Sequence, residues 1–398
     1  LRETLLPLLY TSTMRALLLT LALATTAHAQ WDIQDSGTTA SLRGIATPGP
    51  GIAWASGTNG TVLRTTDTGK TWQHCTIPPD AEHLDFRGIQ AFDANTAIVM
   101  SSGKGDLSRL YKTADGCQTW KLVFTNPDKD GFFDSISMFF SRHEGLNQKI
   151  VTSHALGTVL GDPVNGSFAI FSTDDGGDSW NRRGVEKRSP KGSGCAVGLF
   201  TAKKGESAFA AGNGSLVNPA GRADLFVTGG SVARLGYTEL FSMDGVFCHE
   251  STHFIKLPLA SGESAGAFAL ASPPIEDKAE NYPNTIVVVG GDYKKPDNAS
   301  NNAAIITHVE LFFRTVRQPT TPPHGYRSAV AYDAASKTWI TVGPNGTDIS
   351  NDDGRNWRAL EPLSGQPQDA DQHWNALALP FVVGPHGRIG VLDPAAFK

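Results

Sequence analysis

Val62-Leu-Arg-Thr-Thr-Asp67-Thr-Gly69-Lys-Thr-Trp72 decides the fold. Its second half returns as Thr113-Ala-Asp115-Gly-Cys117-Gln-Thr119-Trp120, as Thr173-Asp-Asp175-Gly-Gly177-Asp-Ser179-Trp180 and as Ser350-Asn-Asp352-Asp-Gly354-Arg-Asn356-Trp357. A degraded copy, Ser242-Met-Asp244-Gly245, lacks the tryptophan. Ser or Thr stands two before each Asp, and Trp stands five after it in the full copies. The second copy carries Cys117 where the others have Gly. An Asp carboxylate accepts backbone N–H bonds inside a tight turn, and Gly supplies a positive φ without steric cost. The Trp then packs on the sheet, where burial is worth about 3 kcal/mol or more. The repeat is therefore a β-hairpin device. Asp67, Trp72, Asp115, Trp120, Asp175, Trp180, Asp352 and Trp357 are read as structural, with no catalytic role.

Two further marks share its period. A polar-small-apolar strand start recurs at Arg43-Gly-Ile45, Arg87-Gly-Ile89, Asp134-Ser-Ile136, Cys195-Ala-Val197, Ala265-Gly-Ala267, Arg327-Ser-Ala329 and Trp374-Asn-Ala376. A glycine turn follows each, at Gly57-Thr-Asn-Gly60, Gly103-Lys-Gly105, Gly161-Asp-Pro163, Gly212-Asn-Gly214, Gly290-Gly-Asp292, Gly343-Pro-Asn-Gly346 and Gly384-Pro-His-Gly387. Units of ~40–50 residues with several short apolar strands are the size of a propeller blade. The fold class is all-β: a seven-bladed β-propeller with four-stranded blades, the fourth and fifth carrying insertions. The last unit, 374–393, has room for about three strands, and Trp31-Asp-Ile-Gln34 precedes the first unit without one of its own. The N-terminal strand is expected to close the last blade and remove its open edge.

The Ser/Thr-x-Asp-x-Gly-x-Thr-Trp pattern resembles the BNR or Asp-box repeat of sialidases, some endoglucanases, sortilin-type receptors and photosystem II stability/assembly factors. The phrasing of 62–72 is most similar to the last group and to its exported bacterial relatives, over residues 31–393. That resemblance implies a propeller that serves as a non-catalytic assembly scaffold. The early Arg-Ile-Pro motif of sialidases is absent, Leu42-Arg43-Gly44-Ile45 standing there instead. A nucleotide-dependent oxidoreductase would need a GxGxxG between strand and helix, and no such segment or strand–helix alternation occurs.

Composition narrows the rest. The chain has 398 residues, 42 of them Gly, with a formal charge of −5. That balance excludes the basic footprint of a nucleic-acid binder. Met14-Arg15, the Leu/Ala run of 16–24 and Ala27-His-Ala29 read as a signal peptide cleaved after Ala29, with residues 1–13 as an upstream extension. Residues 30–398 form the single propeller. The apolar run is short of the ~20 residues a spanning helix needs, and none comes later, so no stable membrane insertion is expected. The mature chain is expected to be a monomer, exported to the periplasm or secreted. Disulfides are then permitted, and Cys75, Cys117, Cys195 and Cys248 leave three pairings open. The histidines are scattered, with no HExxH, so neither a metal nor another cofactor is expected.

In a propeller, the strand starts and glycine turns meet near the axis on the face opposite the Asp turns. That gathers Arg43, Arg87, Arg327, Asp134, Asp162, Asp292, His324, Tyr326 and Trp374. Three guanidiniums around one funnel suit a carboxylate, a phosphate or an acidic peptide; alternatively these Arg and Asp side chains tie the blades together. Lys294-Lys-Pro-Asp-Asn-Ala-Ser-Asn-Asn302 is an exposed insertion on the same face, where partner contacts tend to sit. Two functions follow. The preferred one is a scaffold holding a protein partner or an anionic or carbohydrate ligand. The alternative is a glycoside hydrolase acting on an acidic sugar, using Asp134, Asp162, Asp292 or Glu263 with Tyr326. It requires two carboxyls ~5 to 9.5 Å apart.

Overall fold

The computed structural model describes residues 30–144, 150–183, 200–219, 223–243, 246–275, 283–309, 312–360 and 369–393. The expected leader and extension, 1–29, lie outside them. Among the described residues seven antiparallel sheets arise, almost without helix; six run from the axis outward as four strands, A to D, and one has six strands. Blade 1 is Leu42–Gly49, Ile52–Gly57, Val62–Thr65 and Gln73–His74. Blade 2 is Phe86–Ala91, Ala97–Ser101, Arg109–Thr113 and Lys121–Thr125. Blade 3 is Phe133–Glu144, Ile150–Val164, Ser167–Thr173 and Asn181–Arg182. Blade 6 is Ala329–Asp333, Thr338–Gly343, Gly346–Ser350 and Arg358–Ala359. The B strands are wholly buried in blades 2 and 6, because a neighbouring sheet covers each face. That is why strand B of blade 2, Ala97-Ile-Val-Met-Ser101, is a nearly continuous apolar run.

Blade 7 closes as expected. Ala376–Ala378, Phe381–Val383 and Ile389–Leu392 supply three strands, and Trp31–Gln34 pairs antiparallel with the last of them, Trp31 opposite Leu392 and Gln34 opposite Ile389.

Blades 4 and 5 depart from the sequence reading. Cys195 lies outside the described residues, and the inner strand of blade 4 is Leu216–Val217, followed by Leu225–Val227, Arg234–Met243 and Val246–Lys256. Gly212-Asn213-Gly214 is therefore no B–C turn; it precedes strand A. The turn between strands B and C of blade 4 instead contributes Gly229–Gly230 to the inner edge of blade 5. Glu206–Ser207 pairs beyond it, giving a six-stranded sheet that continues through Gly262–Ala271, Thr285–Asp292, Ala303–Val309 and Phe312–Arg317. Gly161-Asp162-Pro163 is likewise inside strand B of blade 3, and the turn is made by Asn165-Gly166, both at positive φ. Asp244-Gly245 falls outside the described residues.

The four full Asp turns join strands C and D. Asp67 accepts the Thr71 N–H at 3.0 Å and its hydroxyl at 2.7 Å, while the Thr65 hydroxyl accepts the Gly69 N–H. Asp115 does the same with Thr119 and Asp175 with Ser179, while Asp352 accepts the Asn356 N–H and its carboxamide N–H. The bond from the Thr71 hydroxyl lowers the Asp67 carboxyl to about 2. The tryptophans sit in clusters shared by their own sheet and the preceding blade: Trp72 stands edge-on to Phe381 of blade 7, and Trp180 lies against Phe124 of blade 2.

Cys117, at φ +65° in the glycine position of its turn, is bonded to Cys75 of blade 1. Cys195 and the Cys248 side chain lie outside the described set. The bridge closes 42 residues, worth about 4 kcal/mol in the chain-entropy account. The Cys75→Ser/Cys117→Gly double variant removes it yet restores the glycine the turn prefers. It should melt several degrees below the native chain, and reductant should lower the melt of the native chain alone. A native melt indifferent to reductant contradicts the assignment.

Candidate functional site at the hub

Arg43 and Arg87 open the inner strands of blades 1 and 2 on the face opposite the Asp turns. Both reach for one carboxylate, Asp85: Nε of Arg87 at 2.8 Å and Nε of Arg43 at 3.4 Å. About 30 % of each arginine side chain stays exposed (31 % and 29 %). Arg43 makes no hydrogen bond among the described residues, and burial pulls its basicity down, against the pull of Asp85. Two cations thus share one anion, leaving a net positive mouth with free donors. It opens on a cavity of ≈ 360 Å³ walled by Phe209, Phe268, Tyr293, Tyr326, Pro344 and Trp374. Phe209 stacks on Phe268 at 4.2 Å and Tyr326 stands edge-on to it at 4.8 Å. Burial pushes the Tyr326 phenol far up, against the opposing Arg43 charge.

Phe209 belongs to a segment that crosses the axis. The Ala208 N–H donates to Asp162 of blade 3 at 3.1 Å, and Arg87 of blade 2 donates to the Ala210 carbonyl at 3.3 Å. Ser135 of blade 3 donates to the Asn213 carbonyl at 2.8 Å. Gly212 passes so close to blade 1 that a Cβ there would sit 2.8 Å from the Arg43 carbonyl. The segment floors the arginine cavity with Phe209, Ala210 and Ala211. Sequence reading took its glycines for a turn and missed Phe209, Phe268, Tyr293 and Asp85. Only Asp85, two before Arg87, carried a local signal.

The other expected site residues scatter. Arg327 is a correction: its side chain is 0 % exposed, and Nε donates to Asp348 at 2.7 Å. His324 bonds the other Asp348 oxygen at 2.8 Å. This cation ties strands within blade 6 and offers nothing to a ligand. Burial alone would raise the Asp348 carboxyl; the His324 bond and the Arg327 charge hold it below the usual range. Asp134 is also interior, pushed well up by burial and by the neighbouring Asp162 charge, with Arg87 opposing. Burial raises Asp162 to about 6 against the Ala208 bond. It borders a separate cavity with Lys203 and Lys204. Asp292 is held below the usual range by the Ser264 hydroxyl at 2.7 Å and the Lys294 N–H. Trp374 lends an edge to the arginine cavity, but its ring is core, 5.9 Å from Trp31, with Nε1 on Asp371. No Asp or Glu lines the arginine cavity, so the carboxyl pair a glycosidase needs does not converge there. Among the described residues, no cluster of His, Cys, Asp and Glu could hold a metal ion.

No family model matches the chain, and no curated protein matches it. Among solved structures, one described as YCF48 bound to D1 peptide aligns over 92 % of this chain and 98 % of that one, with TM-score 0.54 and 15 % identity. YCF48 from Cyanidioschyzon merolae aligns over 92 % and 99 %, with TM-score 0.49 and 17 % identity. At 15 % identity the first likeness is one of fold, and the seven-bladed ring implied by the sequence resemblance is the fold observed.

Proposed function

We propose that this propeller is an exported, non-catalytic scaffold that grips a protein segment by a carboxylate in the arginine cavity at the hub. One observation carries the reading: Arg43 and Arg87 keep donors free at the mouth of an aromatic-walled cavity, and both share the single carboxylate Asp85 among the described residues. A carboxylate suits two guanidinium forks, and the rings beside it suit an apolar side chain on the same segment. The peptide held by the YCF48 structure of similar fold supports a protein partner. The Cys75–Cys117 bridge supports export to an oxidising compartment, the periplasm or outside.

The test uses a synthetic peptide ending in a free, apolar C-terminal residue, and its C-terminal amide. Each charge-assisted hydrogen bond lost is worth about 1.5–3 kcal/mol. Amidation, or the Arg43→Ala/Arg87→Ala double variant, should therefore weaken binding by tenfold to several hundredfold. The melt of the variant should stay close to the native one, since both side chains are partly exposed. Equal binding of acid and amide, or full binding by the double variant, overturns the reading.

A further inference from the structure

The crossing segment has a second side. Gly212, Asn213 and Gly214 floor another cavity, of ≈ 470 Å³, on the axis toward the Asp-turn face. Inner strands of every blade line it, with Ala91, Leu270, Ala331 and Ala378 among its wall residues. None of its lining residues is charged, so an ionised ligand would find no counter-charge on its walls. The cavity lies within the ~300–1,000 Å³ range of small-ligand sites.

Asn213 displays what the inner edge of a blade can bind. Its carboxamide oxygen accepts the Ile89 N–H at 2.9 Å, and its nitrogen donates to the Ile89 carbonyl. That is the donor-and-acceptor exchange a residue of a neighbouring strand would make. Ile89 therefore aims both backbone groups at the axis. Strand geometry repeats every two residues, so Ala91, paired with Ala97 on its outer side, aims its own N–H and C=O into the cavity.

We propose that this cavity is a second binding site, separate from the arginine cavity, which takes an uncharged peptide segment by pairing amides with the exposed inner strand edges. A neutral sugar would meet the same hydroxyls and carboxamides, but the alternating donors and acceptors of a strand edge match an extended backbone.

The probe is acetyl-Ala-Asn-Val-Ala-amide, blocked at both ends so that it offers no carboxylate to the arginine cavity. Calorimetry on the intact chain should show saturable binding. The same peptide with Asp in place of Asn should bind at least tenfold more weakly. Ala331→Arg and Ala378→Arg, from opposite flanks of the blade 6–7 wall, should each weaken it at least tenfold. A thermal melt checks each variant's fold, and either one that folds suffices. No saturation at millimolar peptide overturns the proposal. So does native-like binding by a folded Arg variant, or displacement of the peptide by maltotriose at equal concentration. None of these outcomes bears on Arg43 and Arg87, so the two sites stand or fall separately.

Discussion

A chain lacking Trp31–Ser36 should melt far below the intact protein and self-associate. Trp31 is 2 % exposed, and its indole N–H donates to the Thr347 hydroxyl of blade 6 at 3.0 Å. Its ring shares a cluster with Ile340, Val342, Ile349 and Trp374. The strand thus pairs with blade 7 while its first side chain anchors in blade 6. Replacing Trp31 by Ala alone should cost about 3–5 kcal/mol, and losing the strand also strips the ladder from Ile389–Leu392. The bared edge is a template for pairing with another chain. Scanning calorimetry and size-exclusion chromatography check both effects. A truncated chain with an unchanged melt and a monomeric profile would refute the closure.

Arg327→Ala should be nearly as damaging. Asp348 is 2 % exposed and holds its charge through Arg327 and His324. Removing one partner of a buried pair typically costs about 3–5 kcal/mol, because the other charge is left uncompensated. The pH dependence gives a second readout. In the native chain the Asp348 carboxyl sits below its ordinary range. Its contribution is therefore present above the unfolded value and is lost as the pH falls through the folded one. Without Arg327 the carboxylate keeps only the His324 bond against its burial and its carboxyl rises, so the variant has less of this stability to lose as acid neutralises Asp348. The stability gap should be widest near neutrality and narrow toward acid pH in denaturant titrations. A gap independent of pH would show that Asp348 is not the group left stranded.

The ring was legible because an Asp turn tolerates little variation. The hydroxyl before the Asp, the glycine and the tryptophan each meet a separate need, so their spacing survives in every full copy, with Cys117 in the glycine place of the second. The closing strand was legible from an arithmetic gap, three strands at one end and one spare at the other. The fate of the arginines was not. Arg43-Gly-Ile45 and Arg327-Ser-Ala329 read alike, and their blades continue alike, Gly57-Thr-Asn-Gly60-Thr-Val62 against Gly343-Pro-Asn-Gly346-Thr-Asp348. Val62 leaves Arg43 at the hub, while Asp348 draws Arg327 into the interior. Within that shared pattern the two blades differ at this strand C position, roughly twenty residues from the arginine, and Asp348 there takes Arg327 together with Asn345 and His324. The hub-crossing segment was hidden for a different reason. Its glycines permit close passage against blade 1, and glycines that permit a turn look the same in sequence.

Blade 5 borrows Glu206–Ser207 and Gly229–Gly230 from chain that otherwise belongs to blade 4. The ring is therefore not a string of interchangeable modules. Circular permutation or transplantation of units is compatible with a cut between blades 2 and 3, where each sheet is built from its own continuous run. At the 4–5 junction no such cut exists, because any break that frees one unit takes part of the other with it.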